Sequence, residues 1–176
     1  MLFDPRILIL CGANTLLFYL TQLVNSSLAA WSLHLVLLGP MIVIPALYLH
    51  RNNFMICASL TGLWVDAALP TPFGLFTISF LCIGTFLLMT RVRFRTEHNY
   101  HLILLAHAIN FICIVLITVA MSGDQLAFIG FWIQLLTTSL LSHLALLFIA
   151  PWFFNVERLL FEICRVDPEP EDLPFV

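Results

Sequence analysis

Long apolar runs, separated by short polar or helix-breaking stretches, make up most of the chain. A bilayer core about 30 Å thick needs about 20 apolar residues per helix, and six runs approach that length: 7–24, 28–49, 54–69, 73–90, 101–121 and 126–150. The separators are Asn25-Ser26-Ser27, the polar stretch 50–53, Pro70-Thr71-Pro72, the arginine-rich stretch 91–100 and Ser122-Gly123-Asp124. The pattern predicts an all-α polytopic membrane protein with six transmembrane helices. Arg6 ahead of the first run and the small residues at 27–30 also fit a cleaved signal peptide. That run is long for a signal peptide and Asp4 offsets the charge before it, so it is read as a retained span.

Composition points to the same solvent. Of 176 residues, 61% are hydrophobic and 10% charged, far below the roughly 25% charged residues of a soluble domain. The net charge of -3 offers no basic surface for nucleic acid. All seven basic residues are arginine. With six spans, Arg6, Arg51, Arg91, Arg93, Arg95, Arg158 and Arg165 fall on one side of the membrane, so both termini are expected in the cytoplasm. The opposite loops are short, and no stretch is long enough for an extramembrane domain.

Residues 1–150 are thus expected to form the transmembrane domain, 151–166 an interfacial helix and 167–176 an acidic flexible tail. In the second of these, Trp152, Val156, Leu159, Leu160 and Ile163 share one helical face, opposite Asn155, Arg158, Glu162 and Arg165. The tail contains DPEPED, a proline-rich acidic run without core-forming residues. The cysteines (Cys11, Cys57, Cys82, Cys113 and Cys164) have no paired spacing and read as small buried apolar residues, with neither a disulfide framework nor a metal site. No cofactor is expected.

Ionisable groups inside a membrane are costly and need partners. Asp66 is the only acid within a predicted span, and Ala58, Gly62 and Asp66 recur every fourth residue on one face, where another backbone can approach. Asp66 either carries a ligand, proton or partner contact, or braces the Pro70-Thr71-Pro72 turn by bonding free backbone groups; the adjacent turn favours bracing. At 1.5 Å per residue His34 and Asp66 come to similar heights, ~22 and ~20 Å, and form a possible polar pair. His107 and Asn110 share a face of the fifth span, and His143 lies in the sixth. Gly130, Gln134, Thr138 and Ser142 form a stripe of four-residue spacing on that last span.

No catalytic arrangement emerges, so the chain is expected not to be an enzyme. Ser139 and Ser142 lack a nucleophile turn, and His98 with His101 is a lone HxxH pair beside Glu97 that reads as a hydrated loop. Arg91, Arg93 and Arg95 form a cytoplasmic basic cluster that anchors topology and can meet anionic membrane lipids.

The stretch from Gly62 through Asp66 to Gly74, GLWVDAALPTPFG, resembles the motif of the rod shape-determining protein MreD family. The resemblance extends to length, the number of spans, the polar stretch after the fourth and a last span running into Ala150-Pro151-Trp152. Pro70 and Pro72 depart from the family pattern, as does the acidic tail. The resemblance implies a non-enzymatic scaffold in the bacterial inner membrane that binds MreC, a single-pass protein, and supports peptidoglycan synthesis by RodA and its penicillin-binding partner, with MreB reached indirectly. The family is distantly similar to the substrate-binding components of energy-coupling-factor transporters. The alternative is therefore a small-molecule-binding membrane subunit with a polar interior around Asn14, His34, Asp66 and His107. For a scaffold, the short outer loops cannot supply a standard interface of roughly 800 Å² per side. Recognition is then expected in the membrane or on the cytoplasmic face, with the Gly130, Gln134, Thr138, Ser142 stripe as the free helix face and the Ala58, Gly62 stripe used within the bundle.

Overall fold

The computed structural model describes residues 4–94 and 99–166, and among these the regular structure is entirely helical. Six α-helices follow in order: α1 (Pro5–Leu28), α2 (Pro40–Tyr48), α3 (Arg51–Ala68), α4 (Leu75–Phe94), α5 (Asn99–Met121) and α6 (Ile129–Ile163). Single 3₁₀ turns follow α1 and α5. Three segments are long and apolar enough to cross a membrane, namely Pro5–Trp31, His101–Met121 and Ile129–Ile163, and Leu75–Thr90 is a shorter apolar helix. Apolar residues such as Ile129, Leu136, Leu140 and Phe148 point outward from α6. Such a surface suits lipid as the solvent and marks a membrane protein.

The start of α1 follows from local chemistry. Asp4 caps it, accepting the Arg6 N–H at 3.0 Å, and Pro5 sits where its missing donor costs nothing. The second Asp4 oxygen accepts from the Asn53 amide at 2.6 Å, tying the starts of α1 and α3 at one end of the bundle. Between α3 and α4, Gly84 lies under the ring of Phe54, where any Cβ would overlap it.

The second apolar run is not a single helix. Within 28–49, Leu28 ends α1 and only Pro40–Tyr48 forms a further α-helix, with about 13 Å of rise. Residues 33–38 carry no regular structure. Pro40 has no N–H to donate to a helix that precedes it, and Gly39 packs so tightly on the Ala106 carbonyl that a side chain there would collide. Helix α2 sits in the middle of the molecule, packed on α3, α4, α5 and α6, with Pro40 through Leu47 all buried. An apolar surface all round is what a fully enclosed helix needs.

The expected boundary at 150/151 is also absent, because α6 continues through Pro151 to Ile163. Past the proline it buries Phe153, Phe154, Glu157 and Phe161, a face lying between the apolar and charged faces read from the sequence. Aromatic burial against the bundle holds this segment in line with α6, where an interfacial helix had been expected. The acidic tail at 167–176 and Arg95 lie outside the described residues, as do the side chains of Arg91 and Arg93.

Candidate functional site

Gly62, Asp66 and Gly74 meet in one structural device. Asp66 is buried, and its Oδ1 accepts the Phe76 N–H at 2.8 Å while Oδ2 accepts the Thr77 N–H at 3.0 Å and the Thr77 hydroxyl at 2.6 Å. These are free donors at the start of α4, where the helix dipole also favours a carboxylate. Gly62, one turn earlier, lets α4 approach so closely that a Cβ would stand 2.5 Å from the Thr77 Cα. Gly74 has φ +94°, a left-handed conformation that turns the chain into α4 at no cost to glycine alone. The Ala58, Gly62 stripe is thereby used within the α3–α4 pair.

The expected pair of His34 and Asp66 does not form. The donors of α4, ten and eleven residues along the chain, occupy both Asp66 oxygens. His34 instead stands exposed at the mouth of a cavity.

Side chains from three other helices hold the irregular segment before α2. Asn110, wholly buried, accepts the N–H groups of Leu38 and Gly39 at 3.0 and 3.2 Å and donates to the Val36 carbonyl at 2.8 Å. Asn25 pairs with both backbone groups of Leu35, at 2.6 and 2.9 Å. The Ser142 hydroxyl accepts the Val36 N–H at 3.0 Å, and the Gln134 amide donates to the Ser32 carbonyl at 3.1 Å. Non-helical backbone at membrane depth survives only when such groups are satisfied by protein or face a water-filled cavity.

This arrangement corrects the expected partner face. Ser142 is buried, Gln134, though exposed, bonds the chain's own backbone and Thr138 lines the cavity, while Gly130 opens outward with no atom near its Cβ position. For Ser142 and Gln134 a free helix face would have left the polar groups unpaired, and the chain's own backbone supplies partners nearer to hand.

The cavity has a volume of about 620 Å³ and lies at the end of the bundle opposite Arg6 and Arg51. Its walls come from the ends of α1, α3 and α5, the start of α6 and residues 34–38. The polar interior expected around Asn14, His34, Asp66 and His107 is not one site. Asn14 bonds Met41 and Thr61, and His107 meets His143 with Nδ1 atoms 2.9 Å apart. Asn14, Asp66 and His107 each found a closer partner on a neighbouring helix.

Two features had no sequence signal at all. The Cys11 and Cys57 sulfurs lie 3.5 Å apart across α1 and α3, whereas Cys82 and Cys164 are exposed, against the expectation that all five are buried. Glu157 is wholly buried with neither oxygen hydrogen-bonded. Asn110 showed itself only as the residue sharing a face with His107. Among the described residues no three metal-ligating side chains come together.

No family model, no curated protein and no solved structure matches this chain.

Proposed function

We propose that this protein is a non-enzymatic scaffold subunit of the bacterial cell-elongation machinery, as the resemblance to MreD implies. It is multi-pass in the inner membrane, with both termini cytoplasmic, and it holds an MreC-like single-pass partner. Through that partner it supports peptidoglycan synthesis by RodA and its penicillin-binding partner, with MreB engaged indirectly. The observation that carries this reading is the clasp: the three residues on which the resemblance rests act together to lock α3 onto α4. A motif that serves folding explains why those residue types stand at that spacing without any chemistry of their own. In this reading the irregular segment and α2 together make one crossing, so the number of passes stays even and the arginine sorting is preserved. With three residues of the α6 stripe used internally, the partner helix meets a lipid-facing side of the bundle, where close van der Waals packing drives association.

Co-expression with a tagged MreC-like protein from the same cell tests this reading. The two should co-purify in mild detergent at fixed stoichiometry, and depletion should round the cells. A periplasmic reporter fused after Asp124 should be active and one after Arg95 inactive. Purification without the partner together with unchanged cell shape on depletion would sink the scaffold, and swapped reporter activities would sink the orientation.

A further inference from the structure

We propose that the cavity beside the irregular segment is a binding site for an uncharged amphiphile, with hydroxyl or carbonyl groups at one end and an acyl-type apolar body at the other. This goes beyond the scaffold reading and does not depend on it. The volume, about 620 Å³, lies within the range of roughly 300–1,000 Å³ typical of small-molecule sites.

The lining decides the charge of the occupant. Among the residues whose side chains are described, no Asp, Glu or Arg contributes to the wall, and His34 at the mouth is its one titratable side chain. An ion brought into such a site would lose its water and gain no counter-charge, so a neutral molecule is favoured.

The same wall supplies unspent hydrogen-bonding capacity. Among the described residues Gln22 and Thr138 make no side-chain hydrogen bond, and Gln134 uses its amide N–H on Ser32, leaving its carbonyl oxygen free. Donors and acceptors together suit a hydroxyl or ester head. Behind them Phe18, Leu38, Met41 and Ile117 form an apolar floor. A ligand with one polar end and one slender apolar body satisfies both.

The cavity exists because the chain leaves the helical path before Pro40. Asn25, Asn110 and Ser142 all serve to hold that departure. Interrupted helices at membrane depth are where membrane proteins build their binding sites.

The test uses the full chain in nanodiscs of phosphatidylethanolamine and phosphatidylglycerol, with a monoolein analogue carrying a diazirine in its acyl chain and an alkyne for detection. Photolabel located by mass spectrometry should concentrate on Leu38, Met41 and Ile117. Excess monoolein should remove it, while ionised oleate should not. Thr138→Trp, which fills the cavity, should abolish this labelling in protein that still elutes as a single species. His34→Leu and Gln134→Leu should each weaken competition by monoolein about fivefold, the order expected for one lost hydrogen bond. Label spread evenly over lipid-facing residues such as Leu136 and Phe148, or unchanged in Thr138→Trp, would overturn the site. Equal competition by oleate would overturn the requirement for a neutral ligand.

Discussion

Asn14 gives the Met41 carbonyl the hydrogen bond that Pro45 cannot. In an uninterrupted helix that carbonyl would accept from the N–H four residues on, and proline has none. The Asn14 amide crosses from α1 to fill the vacancy at 3.0 Å, and it also donates to the Thr61 hydroxyl at 3.2 Å. One side chain therefore joins α1, α2 and α3 at a point where all three are buried.

That relationship is testable as a cycle. Asn14→Ala should lower stability by about 1–3 kcal/mol, because it strands a buried carbonyl. Pro45→Ala restores the intrahelical donor, so the double variant should regain part of the loss, with a coupling of about 1 kcal/mol. Thermal melts of the four proteins in one detergent measure it. Strict additivity would show that the two residues do not share an acceptor.

The clasp on α4 predicts a ranking at Asp66. Asp66→Ala removes every acceptor for Phe76 and Thr77 and should reduce the yield of folded protein sharply. Asp66→Asn keeps one acceptor oxygen and should fall between wild type and Ala. Gly62→Leu should be at least as damaging as Ala, since the Thr77 backbone occupies the needed space. Fluorescence-detected gel filtration gives the order, and an Asn variant as poor as Ala would show that the negative charge itself is required.

Glu157 predicts a gain. A buried carboxyl with no hydrogen-bond partner is destabilising, and replacing it with an apolar residue of similar volume removes that cost. Glu157→Met should raise the apparent Tm by an amount corresponding to about 1–3 kcal/mol. A lower Tm would reveal that the carboxyl is held by something the isolated chain does not contain.

How much of this was legible in the sequence divides by distance along the chain. The ends of α1 and α3 and the turn before α4 follow from neighbours: Asp4 before Pro5, Asp66 ahead of a proline turn, Gly62 one turn earlier. The irregular segment was not legible because its hydrogen bonds come from afar, from Asn110 and Ser142, 74 and 106 residues away from Val36. Hydropathy sees only an unbroken apolar run there. Two signals were present, Gly39-Pro40 at the break and Pro45 inside the short helix, and both mark backbone groups that need outside partners. Pro151 misled in the other direction. It reads as a stop, yet Phe153, Phe154 and Phe161 keep the helix on course by packing.

Asn110 is the residue on which the irregular segment most depends. Asn110→Ala leaves two N–H groups and one carbonyl unpaired in a dry interior and should cost roughly 3 kcal/mol or more. Hydrogen exchange in nanodiscs should show Leu38 and Gly39 losing protection while the middle of α5 keeps its own. Loss of protection across the whole chain at once would show that the segment has no independent stability.

The most direct measurement is of the backbone itself. Magic-angle-spinning NMR of the full chain in lipid bilayers reads helix or non-helix residue by residue from carbon chemical shifts. Residues 33–38 should give non-helical shifts and 41–47 helical ones, with the Asn110 side-chain amide showing contacts to Val36 and Gly39. Helical shifts running without interruption from 33 to 47 would contradict the irregular segment before α2, and with it the cavity.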